Sequence, residues 1–235
     1  MQYELKNFGY SFKELNINSG LIETEMGYGE GQSPEPFPEM IADALEQCNH
    51  LCDIQGCLLI SDYFYGEKPG SIVVGGTTFD VGKKIAHQLK NVEGSVLFIC
   101  TAGAGIGVRS QILMAKGDLI EGYILDTIGS VTVEAAIDKI QKSIENELII
   151  EGIKISNRYS PGYCGWALNE QKQLFAFFPN NQAGIKLSDS CLMDPVKSVS
   201  GIFGFGRKVK KKSYQCQMCE LETCIYRRIR LTKVK

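Results

Sequence analysis

Nine residues from Arg158 to Trp166, RYSPGYCGW, bring together a guanidinium, a Pro-Gly turn, two tyrosines and the only tryptophan of the chain. Turning the chain needs only Pro161, which presets φ, and Gly162, which accepts the positive φ of a type II turn. Arg158, Tyr163 and Trp166 are surplus to that task. A guanidinium and aromatic rings around a glycine suit the wall of a small-molecule site; they equally suit a structural ion pair beside a core plug. A second cluster, CQMCELETC, spaces Cys216, Cys219 and Cys224 as C-x2-C-x4-C. Thiolates at that spacing hold Zn²⁺ or an iron–sulfur cluster when a fourth ligand joins them, and Cys164 and Cys191 are the candidates for it. A third, TAGAGIGV, places Gly103, Gly105 and Gly107 between an apolar run and a helical pattern, where backbone N–H groups can meet an anion. It lacks the full dinucleotide fingerprint and the Lys-Ser/Thr pair of phosphate loops, so a tight strand-to-helix turn competes with nucleotide binding.

Arg158, Gly162 and Tyr163 stand in an Arg-x-x-x-Gly-Tyr arrangement, and GIKLSDSCLMDPVKSVSGIFGF follows at 184–205 with Met193, Pro195 and Ser198 to Gly201 in register. These segments resemble the S-adenosylmethionine-binding activation domain of cobalamin-dependent methionine synthase. LDTIGSVTVEAA, with Asp126 and Glu134, is similar to the helix that precedes the motif in that family. The resemblance implies an adenosylmethionine site in which Arg158 grips the α-carboxylate through paired N–H bonds. Gly162 would admit the ligand closely, Tyr163 would bond or stack beside it, and Glu134 would meet its amino group. It also implies a role in reductive methylation of an oxidised corrinoid, with a flavodoxin-type reductant and no side-chain nucleophile.

The corrinoid-binding Asp-x-His-x-x-Gly signature is absent, since the only histidines are His50 and His87. Cobalamin is therefore expected on a partner, a corrinoid methyltransferase protein, with this chain as a stand-alone activation component and not a complete enzyme. Two other readings stay open: a transferase using the Gly103–Gly107 loop with adenosylmethionine or a nucleotide, and a metal-stabilised interaction module.

The elements that must position these residues can be read from patterning. MGYGEGQSPEPFP is a loop, EMIADALEQCNHLCD is helical with Gly56 as its stop, and CLLISDYFY and SIVVGGTTFD are two strands around the turn EKPG. VGKKIAHQLKN is a short amphipathic helix and SVLFICTAG a buried strand. From Val108 to about Leu148 the pattern is helical, interrupted at Gly117 and Gly129. The last third reads as short strands and loops around the helix LNEQKQLFAFF. Irregular alternation of this kind predicts a single α+β fold, the activation-domain fold of the resemblance, with a largely antiparallel sheet flanked by helices.

The chain has 235 residues, 44% hydrophobic and 22% charged, which is globular composition. No stretch has the length of a spanning helix and the N-terminus has no signal-peptide core, so a cytoplasmic protein without membrane partners is expected. Nine cysteines, an odd number, argue for reduced thiols or metal ligands over a disulfide framework, with Cys48, Cys52, Cys57 and Cys100 as small buried hydrophobes. The net charge of −2 hides a basic segment, 207–235, with ten Lys or Arg against two Glu. That composition divides the chain into a domain at 1–206 and a basic, cysteine-containing tail at 207–235. Tyr214 and Tyr226 are too few aromatic residues for a nucleic-acid platform.

Overall fold

A computed structural model describes residues 4–180 and 182–211. In chain order the elements are β1 (Glu4–Tyr10), α1 (Ser19–Glu25), α2 (Phe37–Leu51), β2 (Ile54–Tyr65), β3 (Ser71–Val74), β4 (Thr77–Asp80), α3 (Gly82–Gln88) and β5 (Gly94–Thr101). Then come α4 (Ala104–Lys116), α5 (Leu119–Ile149), β6 (Lys154–Ile155), α6 (Gln171–Phe175), β7 (Lys186–Leu187), β8 (Met193–Asp194) and β9 (Ser198–Gly206). The fold is α+β. Seven strands form one sheet in the order β4-β3-β2-β5-β9-β6, with β1 also paired to β2, and every pairing is antiparallel. A separate hairpin joins β7 to β8.

β5 explains the apolar run of the sequence: it lies between β2 and β9, and all eight of its residues are buried. Because alternate side chains leave a strand on opposite faces, the run feeds two cores at once. Val96, Phe98 and Cys100 meet Leu58, Phe203 and the helices α2, α4 and α5. Leu97 and Ile99 meet Cys57, Leu59, Ile202, Trp166, Leu174 and the β3–β4 hairpin. Among the described residues, no helix is long and apolar enough to cross a membrane.

Several boundaries differ from the sequence expectation for identifiable reasons. Gly56 does not stop a helix. It sits inside β2, where an added Cβ would collide with Ile140 Cδ1, so the glycine leaves room for that side chain of α5. The helical stretch breaks only at Gly117, a left-handed C-cap with φ 97° whose N–H returns to Leu113 and Met114. Gly129 stays inside α5 and opens room for the stem of Lys197, whose Cγ would be 3.0 Å from a Cβ there. SIVVGGTTFD is two strands, folded back at Gly75 and Gly76, both with positive φ. The N-terminal region contributes β1 and α1, and the MGYGEGQSPEPFP loop follows them.

That loop closes around Glu23. Its buried carboxylate accepts the Ser33 hydroxyl at 2.5 Å and the Gly31 N–H. The Ser33 bond first, then the Gly31 amide, hold the Glu23 carboxyl below its ordinary value of 4.5. A carboxyl depressed in the folded state stabilises fully above pH 4.5, and the contribution is lost as pH falls through the folded value. The difference in thermal midpoint between wild type and Glu23→Gln is therefore expected to be largest at neutral pH and to vanish in acid.

Gly201 marks a tight approach to backbone in the sheet, because a Cβ there would collide with the Tyr159 carbonyl oxygen and lie 2.8 Å from the Phe98 ring. Gly201→Val is expected to destabilise the protein by about 3 kcal/mol or more, the upper end for overpacking, measured by urea unfolding.

Candidate functional site

On α5 the residues Asp126, Ser130, Glu134, Asp138, Gln141 and Glu145 recur every three or four positions, which aligns them along one side of the helix. The inward side carries Leu125, Ile128, Ala136, Ile137 and Ile140, all fully buried. Three cations from the C-terminal third meet the polar side. Lys197 Nζ lies 2.7 Å from Asp126 Oδ1 and donates to Ser130 Oγ at 2.9 Å. Arg158 Nη1 donates to Asp138 Oδ1 at 2.6 Å and Gln141 Oε1 at 2.8 Å, and its Nη2 to Glu134 Oε2 at 3.1 Å. Lys211 Nζ stands 3.9 Å from Glu145.

Strand pairing fixes the Arg158 backbone. Ser156 N–H donates to the Gly204 carbonyl and Tyr159 exchanges both backbone hydrogen bonds with Ile202, each at 2.8 Å, so 156–159 runs beside β9. The guanidinium, with 19% of the side chain exposed, then sits between that strand and α5. Glu134 and Asp138 approach from the solvent side at 60% and 69% exposure. The same enclosure reaches Cys100, whose thiol burial, with Glu134 adding to it, pushes up to about 12, a value that keeps it an inert core group at neutral pH.

The turn beyond Arg158 separates its aromatic residues. Gly162 N–H donates to the Trp166 carbonyl at 2.8 Å, and Trp166 N–H to the Tyr163 carbonyl at 2.9 Å. Gly162 and Gly165 take φ of 92° and 89°, values open to glycine. Trp166 plugs the second core at 2% exposure, edge-on to Phe79, with its indole N–H on Glu170 at 2.8 Å. Tyr163 turns outward with 60% of its surface exposed. The structure thus brings Arg158 and Glu134 into contact, places Gly162 and Tyr163 on the adjoining turn, and assigns Trp166 to the core.

The glycine turn after β5 is used for packing. A Cβ on Gly103 would come within 2.7 Å of the Asp53 nitrogen, and one on Gly105 within 2.5 Å of the Leu51 carbonyl, so the start of α4 rests against the α2–β2 connection. Gly103 N–H is bonded to Thr101 Oγ1 at 3.0 Å, and Ala102 N–H to the Lys197 carbonyl at 2.9 Å. Thr101 also meets Ser198 Oγ at 2.8 Å, which ties this turn to the Ser-Val-Ser-Gly strand.

Of the cysteine candidates, Cys164 is half-buried and Cys191 is buried; Cys216, Cys219 and Cys224 lie outside the described residues. Among the described residues no group of three or more His, Cys, Asp or Glu could hold a metal ion. Sequence reasoning missed Asp138, Gln141, Ser130 and Lys197. The helical spacing of Asp138 from Glu134 was a usable signal; the pairing of Lys197 with Asp126 was not, because 71 residues separate them.

Residues 85–224 match the family described as "Vitamin B12 dependent methionine synthase, activation domain". Among solved structures, the crystal structure of the MetH reactivation domain bound to AdoHcy is similar in fold, with a TM-score of 0.65 and 16% sequence identity, over 90% of this chain and 80% of that one. Comparison with curated proteins gives no match.

The Lys197 pair offers a direct test of how the site is held. Only 10% of the Lys197 side chain is exposed, so Asp126→Ala strands an enclosed ammonium, whereas Lys197→Met removes the charge and keeps the stem over Gly129. Asp126→Ala is expected to cost roughly 1–3 kcal/mol in urea unfolding, and Lys197→Met less.

Proposed function

The chain belongs to the family of vitamin B12-dependent methionine synthase activation domains, and on that premise we propose that it binds S-adenosylmethionine at Arg158 and supports reductive methylation of a corrinoid on a partner protein. The observation that carries this reading is the contact of Arg158 with two exposed carboxylates, Glu134 and Asp138, beside an exposed Tyr163 and the Gly162 turn. The carboxylates hold the guanidinium in place while the site is free. The ligand's α-carboxylate takes over N–H donors of Arg158, and Glu134, released, meets the ligand's α-amino group. Tyr163 offers a ring face and a hydroxyl to the rest of the ligand, and Gly162 a backbone without a side chain.

Charge supports the assignment. Arg158 and Lys197 face Asp126, Glu134 and Asp138, which leaves the cluster one unit negative. Adenosylmethionine carries one net positive charge through its sulfonium, and the demethylated thioether carries none, so the cluster favours the methyl donor over its product. The corrinoid supplies the methyl-accepting metal, and a flavodoxin-type reductant the electron. This chain's residues contribute binding and orientation, which present the sulfonium methyl outward from the domain. We place the edge of the binding domain at the end of β9, with 207–235 as an appended tail.

Titration calorimetry tests the proposal. Adenosylmethionine is expected to bind the wild type and to lose roughly 2 kcal/mol or more with Arg158→Ala, the scale for a charged hydrogen-bond partner. Glu134→Gln is expected to narrow the preference for adenosylmethionine over the thioether product. Undiminished binding by a folded Arg158→Ala variant would refute the assignment.

A further inference from the structure

An apolar groove lies outside the site described so far. Met26, Tyr28 and Phe37 from the α1–α2 connection and the start of α2, with Leu119, Ile120 and Tyr123 from the first turns of α5, line it. The Tyr28 and Phe37 rings lie 5.7 Å apart along one wall. Leu119, Ile120 and Tyr123 are 62%, 51% and 47% exposed, an unusual density of bare apolar side chains for two helical turns.

The surroundings are strongly acidic. From Glu14 to Glu67 the sequence has eleven Asp or Glu and no Lys or Arg. Along the chain, Glu25, Glu35 and Glu39 are close neighbours of the groove residues on that side, and Asp118 and Glu121 of those on α5, with Lys116 at the end of α4. Such a surface selects an occupant that is apolar and basic together. The chain itself contains one. Ile225–Lys235, IYRRIRLTKVK, has five Lys or Arg, no acid, and Ile225, Tyr226, Ile229, Leu231 and Val234 as apolar groups. It begins where the family match ends, at residue 224, and the acidic stretch also lies outside that match.

The reach is sufficient. The last described residue, Lys211, stands beside Glu145. From there to Ile120 is about 38 Å along α5 at 1.5 Å per residue, and residues 212–224 can span about 43 Å when extended. We propose that this groove is the docking site of the chain's own C-terminal segment, Ile225–Lys235, held by apolar contact in the groove and by attraction to its acidic rim. The proposal does not depend on the adenosylmethionine site, since no residue of the groove belongs to the Arg158 cluster.

Zero-length carbodiimide coupling of the full-length protein tests it, with an equimolar mixture of ¹⁴N- and ¹⁵N-labelled copies and peptide mapping by mass spectrometry. The expected result is amide links from Lys233 or Lys235 to Glu35, Glu39 or Glu121, within single-isotope peptide pairs. A several-fold loss of those links is expected in Tyr123→Asp, an exposed position whose change spares the core, and in the triple variant Arg227→Glu, Arg228→Glu, Arg230→Glu. Absence of the links overturns the proposal. So do mixed-isotope links, which would make a second copy the occupant, and links that persist undiminished in both variants.

Discussion

Helix α5 packs on the sheet with Ile140 set over Gly56 of β2, where no side chain stands in its way. The site depends on how that helix packs, through its row of buried apolar residues. That packing sets the height of a 31-residue helix over β2, β5 and β9, and therefore the height of the polar side that the helix turns toward the C-terminal strands. A larger residue at 56 would meet the Ile140 Cδ1 methyl, which would have to shift. The energy for holding the helix down comes from its row of buried isoleucines, with roughly 1.5–3 kcal/mol for each such side chain fully removed from water.

The second dependence is mutual. α5 carries six Asp or Glu against two Lys, and Lys197 and Arg158 pair with three of the acids from segments far away in sequence. Both cations are placed by backbone: Arg158 by pairing of 156–159 beside β9, Lys197 by the hydrogen bonds of its carbonyl to Ala102 and Thr101. The proposed binding chemistry and the stability of the fold therefore draw on the same contacts. Arg158 is at once a structural ion pair and the anchor proposed for a ligand carboxylate, because its carboxylate partners on α5 are exposed enough to be exchanged.

Much of this was legible in the residues themselves. The run SVLFICT announced a doubly covered strand, and β5 is one. VGKKIAHQLKN announced a short helix, and the mixed order of elements announced an antiparallel α+β sheet. The misread stretches share one cause: a glycine has one letter and several uses. Gly117 ends a helix, Gly129 accommodates a lysine stem, Gly56 accommodates another helix and Gly201 accommodates a neighbouring strand. Local pattern cannot separate these uses, because the atom that needs the space belongs to a distant segment.

The family motif, with its Arg158, Gly162 and Tyr163, was fixed by the sequence alone, since residue type and spacing on a single turn are properties of consecutive residues. So were the strands and helices whose side-chain periods match their burial. Tertiary structure alone decided which carboxylates hold Arg158, that Trp166 fills the second core while Tyr163 faces out, and that Lys197 belongs to Asp126. Those outcomes depend on how the chain folds back on itself: an ion pair forms where two remote backbones place its partners a few ångströms apart, and no local period encodes that distance.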